Sequence, residues 1–124
     1  MLVSINIEQA ASFRGEEGDL MELLGNLIDN AFKYGQQKIG IFAKGNSSNL
    51  YLSIEDDGPG MTAKQKMQLV RRGERADTTI PGQGIGLAVV SDISASYGGE
   101  LILEDSKLGG LKVLLSFNWQ GQNT

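Results

Sequence analysis

The sequence predicts an α+β fold, because segments with the two-residue periodicity of strands and segments with helical periodicity occur along one short chain. Five segments have the composition of strands, at 2–8, 38–43, 50–55, 101–104 and 111–117. Three segments are predicted helices: one from Asp19 to Tyr34, one over 62–72, and one that follows the glycines at 82–86 and ends near Tyr97.

Turn-forming residues set the expected limits of these elements. The polar segment 44–49 predicts an antiparallel hairpin between the second and third strands. Asp19 is the expected N-cap of the first helix, and Gly35 is its expected stop directly after the last residue. Thr62 is the expected cap of the second helix, and Gly109-Gly110 separates the last two strands.

The composition is that of a single globular domain over 1–124, with 40% hydrophobic and 21% charged residues. Lys and Arg number 11 and Asp and Glu 15, so the net charge is 11 − 15 = −4, and nucleic acid is not an expected partner. We see no signal peptide and no apolar run of the roughly 18 residues that span a bilayer, so no direct membrane contact by this chain is expected. The tail 118–124 is predicted to be loosely held, with Trp119 able to dock.

Histidine and cysteine are both missing from the sequence. The lack of cysteine excludes disulfides and thiol chemistry and fits a reducing compartment. The lack of histidine excludes serine–histidine catalysis and the usual zinc sites. Any phosphorylation of a histidine would therefore take place on another polypeptide or on a segment outside this sequence.

The segment 20–34 carries an apolar face and a separate polar stripe formed by Glu22, Asn26, Asn30 and Lys33. Asparagine is a poor residue for a helix interior, so two of them four residues apart indicate a role other than helix stability. Amide oxygens suit a hard cation such as Mg²⁺, and an ammonium group suits a phosphate. The alternative is an ordinary solvated helix face.

Two glycine-rich segments follow. Asp56-Asp-Gly-Pro-Gly60 places a carboxylate at a strand end beside a sharp loop, where backbone can approach a ligand; a structural turn is the alternative. Gly82-Gln-Gly-Ile-Gly86 leads into a helix, where backbone amides can bind an anion; plain packing is the alternative. The second segment is neither a P-loop nor a dinucleotide fingerprint, and protein-kinase signatures are absent.

Taken in order, these motifs resemble the ATP-binding domain shared by bacterial sensor histidine kinases, Hsp90 chaperones, type II topoisomerases and MutL proteins, known as the GHKL or Bergerat superfamily. The segment 22–34 resembles its N box, 56–60 its G1 box and 82–86 its G2 box. Asn30-Ala-Phe-Lys-Tyr34 and the segment 70–77, which is similar to an F box, favour the histidine kinases, and in particular sensors of the PhoQ type.

The resemblance implies an α+β two-layer sandwich in which a mixed sheet of about five strands carries three helices on one face. It also implies transfer of the ATP γ-phosphoryl group to a histidine on a separate dimerisation domain, with a response regulator downstream. The domain would be cytoplasmic and its parent protein an inner-membrane sensor. The alternatives are an ATP-driven conformational module of the Hsp90, topoisomerase or MutL kind, and a serine kinase of the anti-sigma type.

The resemblance also implies residue roles. Glu22, Asn26 and Lys33 would be catalytic, Asn26 and Asn30 would hold Mg²⁺, and Asp56 would accept the adenine amino group. Residues 73–83 would form a flexible lid over the nucleotide. The residues implied to bind ATP are Asn26, Asn30, Lys33, Tyr34, Asp56, Gly58, Gly60, Met61, Arg75, Gly82, Gln83, Gly84, Ile85, Gly86 and Leu87.

Overall fold

The computed structural model describes residues 2–72 and 84–119. Within these residues five strands and three helices occur, which confirms the predicted α+β class. Their bounds are β1 (Leu2–Ile7), α1 (Glu17–Tyr34), β2 (Lys38–Gly45), β3 (Asn49–Asp56), α2 (Ala63–Arg72), α3 (Gly84–Ser96), β4 (Glu100–Asp105) and β5 (Leu111–Asn118).

The sheet has the order β1-β2-β3-β5-β4. β1 runs parallel to β2, and the other neighbouring pairs are antiparallel, so the sheet is mixed as expected. α1 packs against β3 and α3, α3 packs against β4, and α2 packs against α3. Asn46 closes the β2–β3 hairpin, because its side-chain Oδ1 accepts hydrogen bonds from the backbone N–H groups of Ser48 (2.8 Å) and Asn49 (3.0 Å).

The hydrophobic core lies between the sheet and the helices. Along β5 the buried residues alternate with less buried ones, as expected for a strand with one face on the core. From the helices, α1 contributes Leu23, Leu27 and Ala31, and α3 contributes Leu87 and Val90. None of the helices described within 2–72 and 84–119 has the length and apolar character needed to cross a membrane.

The ends of α1 correct two details of the sequence analysis. The helix begins at Glu17 with Glu16 at the N-cap position, so the prediction that Asp19 is the N-cap is wrong. Asp19 lies in the first turn, where its carboxylate accepts a hydrogen bond from the Tyr97 hydroxyl. The helix ends at Tyr34 as predicted, but Gly35 has extended backbone (φ −66°, ψ 144°) and forms no left-handed cap.

The N-terminus of α2 confirms the predicted cap. Thr62 Oγ1 accepts a hydrogen bond from the Gln65 N–H (3.1 Å), and Gln65 Oε1 accepts one from the Thr62 N–H (2.9 Å). This reciprocal pair is a capping box. A salt bridge from Lys66 to Asp105 (2.6 Å) then joins α2 to the end of β4.

An aromatic cluster joins the segment before α1 to the end of β5. Trp119 docks as expected: its ring stacks on Phe117 at 5.1 Å, and its Nε1 donates a hydrogen bond to the Ser12 carbonyl (3.2 Å). Phe13 makes edge-to-face contacts with Phe117, Trp119 and Tyr97. The segment between β1 and α1 is therefore held by packing rather than by secondary structure.

One core position can be improved. Ser94 on α3 is 1% exposed, and its Oγ has no hydrogen-bond partner among the described residues. We expect Ser94→Ala to raise the free energy of unfolding by about 1 kcal/mol, because the variant no longer buries an unpaired hydroxyl. Urea unfolding would measure this. Ser91→Ala on the same helix is the matched control, since both changes gain the same helix propensity but Ser91 is only partly buried. An equal gain in both variants would contradict the prediction.

Candidate functional site

The fold brings the three motif segments together around α1. Asn26 Oδ1, in the middle of α1, lies 3.5 Å from the position that a Cβ on Gly86 would occupy, at the start of α3. At the C-terminal end of α1, the Tyr34 carbonyl oxygen lies so close to Gly58 that any Cβ there would overlap it. The helix with the polar stripe therefore approaches Gly86 of the second glycine segment at Asn26 and Gly58 of the first glycine segment at its end.

Asp56 is a buried carboxylate at the end of β3. Its side chain is 3% exposed, and its Oδ1 accepts hydrogen bonds from the backbone N–H groups of Gly58 (2.9 Å) and Leu111 (3.3 Å). Burial raises the pKa of Asp56 above its ordinary value, and the two backbone hydrogen bonds offset part of that rise. Because both described hydrogen bonds reach Oδ1, the second oxygen can accept from a ligand donor.

Glycines surround this carboxylate for steric reasons. A Cβ on Gly110 would overlap Asp56 Oδ1 and would lie 2.6 Å from the Gly58 nitrogen. Gly60 adopts φ +70°, a left-handed conformation that favours glycine. The sequence analysis treated Gly110 only as part of a turn. The only sequence signal for a role of Gly110 was its position directly before a strand. Its contact with Asp56 could not be predicted, because the two residues are far apart in sequence.

At the middle of α1, Asn26 has a fixed orientation. Its Nδ2 donates a hydrogen bond to the Glu22 carbonyl oxygen (2.8 Å), and its Oδ1, which lies near Gly86, has no hydrogen bond to any residue that the structure describes. The Glu22 side chain is exposed. Asn30 is buried, being only 8% exposed. The prediction that the polar stripe is separate from the core is therefore wrong at Asn30.

The other residues that were predicted to bind the nucleotide lie at different places in the structure. Lys33 is exposed, with its Nζ 5.7 Å from the centroid of the Tyr34 ring. Met61 and Leu87 are buried in the hydrophobic core. Gly84 and Ile85 form the first turn of α3. The predicted lid 73–83 lies outside the described residues, and with it Arg75, Gly82 and Gln83.

A metal site made from acidic or imidazole ligands is not found within residues 2–72 and 84–119, where no three His, Cys, Asp or Glu side chains cluster suitably. The amide oxygens of Asn26 and Asn30 remain as candidate ligands on one side of α1. Neutral oxygen donors of this kind fit Mg²⁺ that is also held by phosphates, because Mg²⁺ usually binds few protein ligands and keeps ligands from the substrate or water.

The fold and the site together define an α+β domain. A buried carboxylate lies near the C-terminal end of α1, and the glycine-containing start of α3 lies beside the middle of α1. The family described as histidine kinase-, DNA gyrase B-, and HSP90-like ATPase matches residues 15–120. The chain therefore belongs to this family of ATP-binding domains, as the motifs predicted.

Among individual proteins, the chain is similar to sensor kinases. It is 42% identical over 118 residues to the virulence sensor histidine kinase PhoQ of Salmonella typhimurium, covering 95% of this chain and 24% of that protein. It is 54% identical over 95 residues to the two-component sensor PhoQ of Pseudomonas aeruginosa, covering 77% of this chain and 21% of that protein. The chain thus spans about a quarter of the length of these relatives, and the predicted relation to PhoQ-type sensors is confirmed.

Solved structures confirm the fold. The catalytic domain of histidine kinase ThkA matches with a TM-score of 0.77 at 17% identity, covering 94% of this chain and 79% of that one. Full-length ShkA in complex with AMPPNP matches with a TM-score of 0.68 at 24% identity, covering 93% of this chain and 25% of that one. A five-stranded mixed sheet with three helices is therefore shared with histidine kinase domains.

The buried charge of Asp56 predicts a pH-dependent stability. The pKa of Asp56 is 3.8 in the unfolded chain and is raised in the folded protein. At a pH between these two pKa values, the folded state keeps a proton that the unfolded chain has lost. Stability from this group therefore falls as the pH rises from 3.8 through the folded pKa, and the ionised group is unfavourable at pH 7. We expect ligand-free Asp56→Asn to be more stable than wild type at pH 7, because an amide keeps the Oδ1 acceptor without the buried charge.

Urea midpoints at acidic and neutral pH would measure this difference. The advantage of Asp56→Asn should shrink as the pH falls through the raised folded pKa of Asp56, because wild-type Asp56 then gains its proton. Asp92→Asn, an exposed position on α3, is the matched control and should show no such change. An Asp56→Asn variant less stable than wild type at neutral pH would contradict the assigned cost of burial.

Proposed function

We propose that this chain is the ATP-binding catalytic domain of a sensor histidine kinase, which transfers the γ-phosphoryl group of ATP to a histidine on a separate dimerisation domain. The observation that carries the nucleotide part is the buried carboxylate of Asp56 facing a glycine-rich loop. The kinase part is supported by similarity to sensor histidine kinases over 95% of the chain. The parent protein would then be an inner-membrane sensor with this domain in the cytoplasm and a response regulator as the later acceptor.

At the base end, the second oxygen of Asp56 accepts a hydrogen bond from the adenine amino group. Guanine presents a carbonyl oxygen at the equivalent position, and two acceptors facing each other in a desolvated site are unfavourable. Gly58 and Gly60 are proposed to lie beside the base through their backbone, since the space next to their α-carbons is taken by the Tyr34 carbonyl oxygen and by Gly110. The proposal therefore includes selectivity for adenine nucleotides over guanine nucleotides.

At the phosphate end, Asn26 and Asn30 would hold Mg²⁺, which when bound neutralises phosphate charge. Lys33 adds a positive charge near the end of α1, and the backbone amides at the start of α3 provide donors for phosphate oxygens. The bound AMPPNP in the ShkA structure supports a triphosphate ligand for this fold. Arg75, Gln83 and the lid 73–83 are proposed to close over the phosphates.

In the transfer step, an imidazole nitrogen of the acceptor forms a bond to the γ-phosphorus while the bond between that phosphorus and the ADP oxygen breaks. Catalysis of this kind depends mainly on positioning and charge neutralisation. The chain contains no histidine, so the acceptor must come from elsewhere. The domain supplies the bound and oriented nucleotide, and its partner supplies the nucleophile.

Base recognition can be tested with Asp56→Asn. The amide can place an N–H donor against the adenine amino donor, so we expect the affinity for ATP to fall about 10- to 100-fold, corresponding to about 1.5–3 kcal/mol for a charged hydrogen bond. Calorimetry with Mg-ATP would measure it, with GTP as the comparison ligand. Because the same variant is expected to be more stable without ligand, weaker binding could not be ascribed to unfolding. Unchanged ATP affinity would remove Asp56 from the base site.

Phosphoryl transfer distinguishes a kinase from a conformational ATPase, in which a carboxylate such as Glu22 would activate water. We expect the chain alone, given radiolabelled ATP, to incorporate no acid-labile phosphate. Mixed with its dimerisation domain, it should label that partner on histidine, and Lys33→Ala or Asn30→Asp should greatly reduce the label. Lys64→Ala, at an exposed position of α2, is the matched control for loss of a lysine. Rapid ATP hydrolysis by the chain alone, with no transfer to a histidine, would favour the ATPase function.

A further inference from the structure

Two loops meet at the C-terminal end of α1. The first, residues 35–37, joins α1 to β2; the second, residues 56–58, follows β3. A Cβ on Gly35 would lie 3.4 Å from Asp56 Cβ, and the Gly58 backbone lies against the Tyr34 carbonyl oxygen. The second loop therefore packs closely against the first loop and against the last residue of α1.

The side chain of Asp57 joins these loops by hydrogen bonds. Its Oδ1 accepts from the backbone N–H groups of Gln36 (2.7 Å) and Gln37 (3.0 Å), and its Oδ2 accepts from Gln37 (3.1 Å). The Asp57 N–H donates to the Lys38 carbonyl oxygen (3.2 Å). The hydrogen bond from Gln37, followed by that from Gln36, lowers the pKa of Asp57, so the group is ionised at neutral pH.

The position of Asp57 differs from that of its neighbour because side chains alternate at the end of a strand. Asp56 is directed into the core and Asp57 towards the loop after α1. That loop is continuous with the last two turns of α1, which carry Asn30 and Lys33. Asp57 thus joins the segment proposed to bind the base to the helix proposed to bind the phosphates.

We infer that Asp57 is a positioning residue, which fixes the distance between the base-binding and phosphate-binding parts of the nucleotide site without touching the nucleotide. This inference rests on the proposed function. A ligand that occupies both parts gains affinity when they are held at the right separation, because its second contact is then intramolecular. A ligand that occupies only one part gains nothing from this separation.

Three probes separate these contributions: adenosine for the base part, Mg-pyrophosphate for the phosphate part, and Mg-ADP for both. Binding to the whole chain would be measured by NMR titration well below the unfolding temperature. For Asp57→Ala we expect the affinity for Mg-ADP to fall about 10-fold, while the affinities for adenosine and Mg-pyrophosphate change less than about 2-fold.

Two further variants serve as comparisons. Asp57→Asn can keep the two hydrogen bonds to Oδ1, so its loss of Mg-ADP affinity should be smaller than that of Asp57→Ala. Glu104→Gln removes one negative charge at an exposed position of β4, away from the two loops, and should leave all three affinities unchanged. It controls for the general effect of charge on phosphate binding.

Each other outcome overturns the inference. Equal losses for adenosine and Mg-ADP would mean that Asp57 acts only on the base pocket. A lower unfolding temperature with unchanged affinity for all three probes would mean that its role is structural. If the wild-type chain bound neither adenosine nor Mg-ADP, the proposed function itself would fail. If the wild-type chain bound both and the Asp57→Ala variant bound both equally well, only the inference about Asp57 would fail.

Discussion

The buried carboxylate of Asp56 is the constraint on which the nucleotide end of this domain depends. A carboxylate removed from water is costly unless hydrogen bonds compensate it, and here the compensating donors are the backbone N–H groups of Gly58 and Leu111. To reach one oxygen, both backbone segments must come close, which leaves no space for a side chain at Gly110. The glycine at position 110 is therefore a consequence of burying this carboxylate.

The helix α1 packs on the sheet and also carries residues of the candidate site, and one residue does both. Leu23, Leu27 and Ala31 pack on the sheet and contribute to stability through burial, while Asn26 faces the start of α3. Asn30 belongs to both sets, since it is buried beside the core and carries an amide suited to a cation. Changes at the site residues of α1 therefore alter the packing of the domain as well, and stability has to be measured together with binding.

The motifs at 22–34, 56–60 and 82–86 predicted the family and the α+β class through their resemblance to known proteins. Local signals also located the helix cap at Thr62 and the turn of the β2–β3 hairpin, because both depend on residues close together in the sequence. Local signals failed at the ends of α1. Asp19 is a residue type common at caps, but its carboxylate accepts a hydrogen bond from Tyr97, which follows α3. Gly35 is required by close packing against the Ala31 carbonyl oxygen, Ile39 and Asp56 rather than by its backbone conformation.

The sequence by itself determined which chemical groups are present: two adjacent carboxylates before a glycine loop, two amides four residues apart on a helix, and no histidine to accept phosphate. Only the tertiary structure decided what holds these groups in place. Alternation at the end of β3 turns Asp56 inward and Asp57 outward, but the hydrogen-bond donors that hold them come from Leu111 in one case and from Gln36 and Gln37 in the other. Such pairings join residues about 20 to 55 positions apart, and periodicity and spacing within one segment contain no information about them.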